Sequence, residues 1–191
     1  MGANVGPGRT RGQKLQANFS PSLPPSGYGG TGTRPEAAMP VQQLKKYLDE
    51  QEVRYVTVRH SPAFTAQEVA ASAHISGYEM AKTVMIKVNG KMAMAVLPAP
   101  LHVDLRHLKE LTGAEKVELA GESEFKAMFP DCELGAMPPF GKLYKMETYV
   151  AQRLAEDEYI AFNAGTHTEL IRMRYRDFER LAEPRVLAFS R

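Results

Sequence analysis

Apolar residues occupy both faces of two short runs, residues 83–88 and 92–97, separated by Asn89-Gly90. An Asn-Gly pair accepts positive φ at both turn positions and so favours a tight hairpin. Strands that are apolar on both sides belong in the middle of a fold, covered from two directions. The pattern predicts a central hairpin within residues 80–98, with Lys82 at the entrance to its first strand, where a charge faces a cleft or solvent. Before the hairpin the period is helical: Val41, Leu44 and Leu48 follow Pro40 and predict a helix to about Gln51. Tyr55, Val56 and Val58 then mark a strand over 54–59, ended by His60-Ser61-Pro62. Thr65-Ala66-Gln67-Glu68 has the spacing of a capping box and predicts a helix running to about Ala73.

After the hairpin, Leu105, Leu108 and Leu111 predict a helix between Asp104 and a closing Gly113. A strand over 116–119 and a short helix over 122–129, stopped by Pro130, come next. Residues 135–141 form a stiff loop whose glycines permit close backbone approach and whose prolines restrict motion. Strands are expected at 148–154, 159–163 and 169–173, the first two joined by the acidic turn Glu156-Asp157-Glu158. A helix over 175–181 and a last strand over 185–189 complete the chain. Strands outnumber helices and alternate with them irregularly, so the expected fold class is α/β of the α+β type: a mixed sheet or partly closed barrel with flanking helices.

Composition adds a boundary. Residues 1–38 contain eight glycines and five prolines with few large apolar groups, too little burial to offset the entropy of ordering. They are expected to be a disordered tail, with Met39 a sensible alternative start and residues 39–191 the folded domain. The formal charge of +2 divides unevenly: residues 1–39 carry +3, and the remainder holds 20 basic and 21 acidic residues. A near-neutral body does not advertise tight, non-specific nucleic-acid binding. Arg172, Arg174 and Arg176 alternate at the end of a predicted strand and suit either a nucleic-acid backbone or plain solvent. The single cysteine, Cys132, excludes an internal disulfide and reads as a buried structural thiol. No apolar run approaches the roughly 20 residues of a membrane span, and no secretory signal is present, which predicts a cytoplasmic protein.

No Cys/His spacing fits zinc, and no nucleophile elbow, Walker loop or dinucleotide fingerprint occurs; neither metal nor cofactor is expected. Lys82, the loop 135–141 and Ala164-Gly165-Thr166-His167 remain as local features. Taken singly, each reads as a solvated lysine, a turn and a structurally satisfied histidine.

In order, however, His60-Ser-Pro, Thr65-Ala-Gln-Glu-Val-Ala, Met80-Ala-Lys-Thr, Val88-Asn-Gly-Lys, Ala95-Val-Leu-Pro98, Gly135-Ala-Met-Pro-Pro139 and Gly165-Thr-His167 resemble the YbaK/prolyl-tRNA-synthetase-associated domain family. The resemblance spans roughly residues 39–189. It implies an incomplete barrel with helices packed around it, and a free-standing enzyme that cleaves a wrong amino acid from the terminal adenosine of a tRNA, with tRNA(Pro) the expected species. It also implies aminoacyl-tRNA as partner and a transient complex with a synthetase. Such editing answers a physical limit, since a pocket discriminates one methylene by only about 1–3 kcal/mol.

Ester hydrolysis builds charge on the carbonyl oxygen, which preorganised donors stabilise. Pro138 and Pro139 lack an N–H, leaving Gly135, Ala136 and Met137 as the loop's expected backbone donors. Lys82, a cation at an ordinary pKa of about 10.4, is expected to anchor the carbonyl or terminal phosphate. The resemblance implies that the tRNA's own ribose hydroxyl helps position the attacking water. His167, Gly165, Thr166, Pro139 and Phe140 are expected to contact the aminoacyl group, and Lys142 and Lys145 the acceptor end. A non-catalytic module that binds aminoacyl-tRNA or a synthetase, and a regulatory domain sensing amino acids, are the alternatives.

Overall fold

Pro40 opens the first helix, α1 (Pro40–Glu50), in which Leu44 and Leu48 are buried one turn apart. The structure is a computed structural model that describes residues 1–2 and 40–191. All but the first two residues of the expected tail, and the expected boundary at 38/39, lie outside the described residues. After β1 (Tyr55–Arg59), α2 (Ala66–Ser72) starts at the expected capping box. The Glu68 N–H donates to Thr65 Oγ1 at 3.2 Å, and the Thr65 N–H donates to Glu68 Oε2 at 3.0 Å. These backbone donors hold the Glu68 carboxyl below the usual carboxylate range. The cap is therefore intact above the ordinary carboxylate pKa and weakens as pH falls through the lowered value. Thr65→Ala should cost about 1 kcal/mol in urea denaturation; an unchanged midpoint would mean that burial of Val69 and Ala70 alone holds the helix.

The hairpin forms as patterned. β2 (Ala81–Val88) and β3 (Lys91–Pro98) pair antiparallel, with Lys82 opposite Leu97, and Asn89 and Gly90 take φ of 49° and 78° at the turn. Asn89 Oδ1 also accepts the N–H groups of Glu115 and Lys116 at 2.9 and 3.0 Å, fastening the approach to β4 (Val117–Leu119). Between them α3 (Leu105–Thr112) is capped by Asp104, which accepts two N–H groups, and by Gly113 at φ 68°. The chain continues through α4 (Glu122–Phe125), β5 (Glu147–Ala151), α5 (Gln152–Ala155), β6 (Tyr159–Thr166), β7 (Glu169–Arg174), α6 (Tyr175–Ala182) and β8 (Arg185–Leu187).

Two sheets result, a mixed one in the order β4-β2-β3-β5-β8 and an antiparallel one in the order β1-β7-β6. They join at one corner, where Met80 bridges Ala161 and the Ala161 N–H donates to Glu79 O at 3.0 Å. The main core fills the space between them with Met85, Met94, Val96, Phe162, Ile171 and Phe178. The opposite face of the hairpin is covered by a second cluster, in which Ile86, Ala95 and Leu97 meet Leu108, Tyr149 and Phe189. The hairpin is thus buried on both faces, as its two-sided apolar pattern required.

Three expectations are corrected. The strand expected over 148–154 ends at Ala151 and turns into α5, where Arg153 pairs with Glu156 and Asp157 at 3.2 and 3.6 Å. Glu156-Asp157-Glu158 is therefore no hairpin turn: β3 and β8 occupy both edges of β5, and the chain must cross to the other sheet. β6 runs on to Thr166, with a register irregularity between Asn163 and Thr166 and Gly165 at φ 101°, so residues 164–166 belong to a strand end instead of a loop. The last strand is shorter than expected, three residues at β8.

Candidate active site

β4 covers β2 at Ile86–Val88, the Ala120 N–H donates to Met85 O at 3.0 Å, and β6 reaches the start of β2 only at Met80, so the strand edge over residues 81–84 is left open. A cavity of about 340 Å³ lies at this gap, lined by Thr83, Val84 and Met85 on one side and Leu134, Gly135 and Met137 on the other, with Leu119, Ala120, Glu122 and Phe125 closing it. Lys87 fixes that closing wall through Glu118 and Glu124, at 3.3 and 2.7 Å, while Glu124 also accepts the Gly121 N–H that begins α4.

The loop expected to supply donors and the Gly165–His167 segment, 30 residues apart in sequence, are fastened together here. The Glu133 N–H donates to Gly165 O and the Gly165 N–H to Ala136 O, both at 2.9 Å. The Glu133 carboxylate in turn accepts the His167 N–H. His167 Nε2 lies 2.8 Å from Leu134 O, and since a carbonyl only accepts, Nε2 carries the proton. Nδ1 is then buried with no partner among the described residues, as is Thr166 Oγ1. Gly135 holds φ 87°, and a Cβ there would stand 3.6 Å from His167 Cε1, so the imidazole backs the glycine directly. The His167 ring also packs against Phe64 at 5.2 Å between centroids.

The three expected donors differ. The Ala136 N–H is engaged by Glu133 O at 2.9 Å, closing a turn, and does not face the cavity as a free donor. The Gly135 N–H points at Met137 Sδ, 3.3 Å away and a weak acceptor, and the Met137 N–H has no acceptor among the described residues. Lys82 shares its strand face with Leu97, and its ammonium donates to Ala99 O at 2.9 Å. Burial pushes its pKa below the ordinary lysine value. It adjoins the cavity through Thr83 but does not line it.

Phe140 is a core residue, 1% exposed and edge-on to Phe162 and Phe178 at 5.6 and 5.3 Å, and Pro139 is buried beside it. Neither is available to substrate, because the loop dives into the core after Gly135. That course also carries Lys142 and Lys145 to a separate cleft with Glu183 and Arg185, where Lys142 pairs with Glu183 at 2.5 Å. Burial raises the Cys132 thiol pKa, consistent with the structural role expected of it. Sequence reasoning missed Thr83, Glu133 and Phe64. The capping box was the available signal for Phe64, since Glu68 accepts its N–H at 3.2 Å and so sets it over His167. Nothing local marked Glu133.

Among the described residues no three His, Cys, Asp or Glu side chains gather as a metal site, and no helix is long and apolar enough to cross a membrane.

A mixed α/β body with a small cavity at an open strand edge, walled by a glycine loop, is the class of fold and site suited to a small acyl group. The aminoacyl-tRNA editing domain family matches residues 60–181, and the chain belongs to that family, whose chemistry is the deacylation of aminoacyl-tRNA. The chain is 28% identical over 156 residues to the multifunctional Ser/Thr-tRNA deacylase ProXp-y of Escherichia coli (strain K12), covering 78% of this chain and 92% of that protein. Over 102 residues, 53% of this chain, it is 29% identical to the proline–tRNA ligase of Bacillus mycoides (strain KBAB4), of which it spans 18%. Its fold matches that of a putative trans-editing enzyme for prolyl tRNA synthetase with a TM-score of 0.68 at 17% identity, covering 80% of this chain and 97% of that one.

Proposed function

We propose that the chain hydrolyses the ester joining a small, wrongly attached amino acid to the terminal adenosine of a tRNA, with tRNA(Pro) the first species to test. The observation that carries this reading is the cavity at the open edge of β2, about 340 Å³, near the lower end of the usual range for ligand pockets. A side chain of a few atoms fits beside Thr83 and Met85. The Gly135 and Met137 N–H groups supply the oxyanion donors, the first by leaving the weak sulfur acceptor. Lys82 leaves Ala99 O to meet the carbonyl or the terminal phosphate. Water attacks with the ribose hydroxyl of the substrate positioning it, so the chain needs no general base of its own. His167 works by holding the Leu134–Gly135 wall at its position.

The editing role supports a cytoplasmic location, beside the substrate. The match to a segment of a proline–tRNA ligase supports a transient association with a synthetase.

A panel of alanyl-, seryl-, threonyl- and cysteinyl-tRNA(Pro), with prolyl-tRNA(Pro) as control and seryl- and threonyl-tRNA on their own tRNAs, tests the proposal. At least one small mischarged ester should be released about tenfold or more faster than the prolyl control, the order expected when a pocket sorts by size. Binding without release of any of them would leave a non-catalytic aminoacyl-tRNA module instead. In the same panel, His167→Ala should change the ratio of rates between amino acids more than the total rate, because the wall shifts while the donors remain. Uniformly scaled rates would remove His167 from selectivity.

A further inference from the structure

At the far end of β6 from the cavity lies a second and larger concavity, about 490 Å³, on the outer face of the β1-β7-β6 sheet. Arg54, Arg172, Arg174 and Arg176 line it, against two carboxylates, Glu52 and Asp177. The sheet register gathers them: Val56 sits opposite Arg172, and Tyr159 opposite Arg174. α2 packs over the other half of this face, at Leu170 and Ala161. Tyr159 organises the group. The Arg172 guanidinium stacks 4.5 Å from its ring centroid, and Arg174 stands 6.0 Å from the centroid with Nε 3.4 Å from the hydroxyl. Arg172 pairs with Glu79. Among the described residues Arg54, Arg174 and Arg176 have no carboxylate within ion-pair distance, and all three are exposed.

We infer that this arginine cleft is a docking surface for the phosphodiester backbone of the tRNA, separate from the site of chemistry. The inference rests on the editing function proposed above. An RNA substrate needs cations, yet the ten residues that line the catalytic cavity include none, and Lys142 is tied to Glu183. Arginine presents a planar fork that matches phosphate oxygens, and a tyrosine-stacked guanidinium is held ready to meet them. Tyr159 and Thr166 are seven residues apart on β6, about 23 Å at the usual strand rise. With the aminoacyl end in the cavity, backbone further along the RNA meets the cleft. A short oligonucleotide ending in the same aminoacyl adenosine does not reach it.

The test compares the wild-type protein with the triple variant Arg54→Gln/Arg174→Gln/Arg176→Gln, which spares the Arg172–Glu79 pair. Uncharged full-length tRNA should bind the variant about tenfold more weakly, with the slope of log affinity against log salt reduced by about one for each arginine removed. The ratio of kcat/KM for mischarged tRNA to that for an aminoacylated CCA trinucleotide should fall by a similar factor. Unaltered tRNA affinity and salt slope would overturn the inference, as would an unaltered ratio, because the arginines would then serve solvent or an acidic protein. Should the wild type bind tRNA through this cleft and release no amino acid, the editing reading alone would fail.

Discussion

Replacing Lys82 by methionine is expected to lower kcat/KM for release of the preferred amino acid by about a hundredfold, the order of effect of deleting one donor to a developing oxyanion. Methionine keeps an unbranched apolar stem beside Leu97, so the change removes the charge with little loss of packing. In the free protein the ammonium rests on Ala99 O at 2.9 Å, a neutral acceptor that leaves its charge uncompensated. Lys82→Arg keeps the charge and should retain part of the activity. Burial lowers the Lys82 pKa, and the anchoring role proposed for it requires the cation. Activity should therefore decline on the alkaline side at a lower pH than an ordinary lysine would allow, and Lys82→Arg should move that limit upward. Equal deacylation by wild type and Lys82→Met in single-turnover assays would take Lys82 out of the mechanism.

The second large effect concerns stability. An alanine Cβ at Gly141 would stand 2.5 Å from Thr148 Oγ1 and 2.7 Å from Met146 O. The second of these is backbone and has no rotamer in which to retreat. The Gly141 N–H also donates to Thr148 Oγ1 at 3.1 Å within the core, so displacing the threonine exposes a buried donor. Gly141→Ala should cost about 3 kcal/mol, overpacking and the weakened bond together, read as a lower midpoint at unchanged m in urea denaturation. Because Gly141 ends the segment that begins at the cavity wall, deacylation should fall as well. A variant within about half a kcal/mol of wild type would mean that the turn from Gly141 to Met146 is far more yielding than its packing indicates. Gly135→Ala makes the contrast: φ 87° strains alanine, but the nearest atom would lie at 3.6 Å, so its effect should fall on activity more than on stability.

Much of the fold was legible because its signals are local. Asn89-Gly90 closes a turn whichever sheet surrounds it, Thr65 and Glu68 cap a helix with their own backbone, and Gly113 ends one at positive φ. The failures share a cause. Tyr149, Val150 and Leu154 suggest a strand over residues 148–154, yet the strand ends at Ala151, where both of its edges are already occupied and Arg153 gathers the acidic turn behind it. Phe140 looked like a pocket residue beside two prolines, but its ring is held in the core by Phe162 and Phe178. No local pattern tells an aromatic that lines a cavity from one that fills it.

From its residues alone this chain determined a buried hairpin, its caps and turns, and an ordered set of motifs that resembled an editing family. Each of these depends on spacing or on backbone chemistry within a few residues. Tertiary structure decided what stands together: that the gap in β2's edge becomes the cavity, that Glu133 ties the Gly135 loop to Gly165 and His167, and that Ala136's N–H is engaged while Met137's is free. It also sent Lys142 and Lys145 to another cleft and drew Arg54 to the arginines of β7 and α6. Those outcomes follow from sheet register and from the competition of donors for acceptors, which arise only when segments distant in the chain are packed against one another.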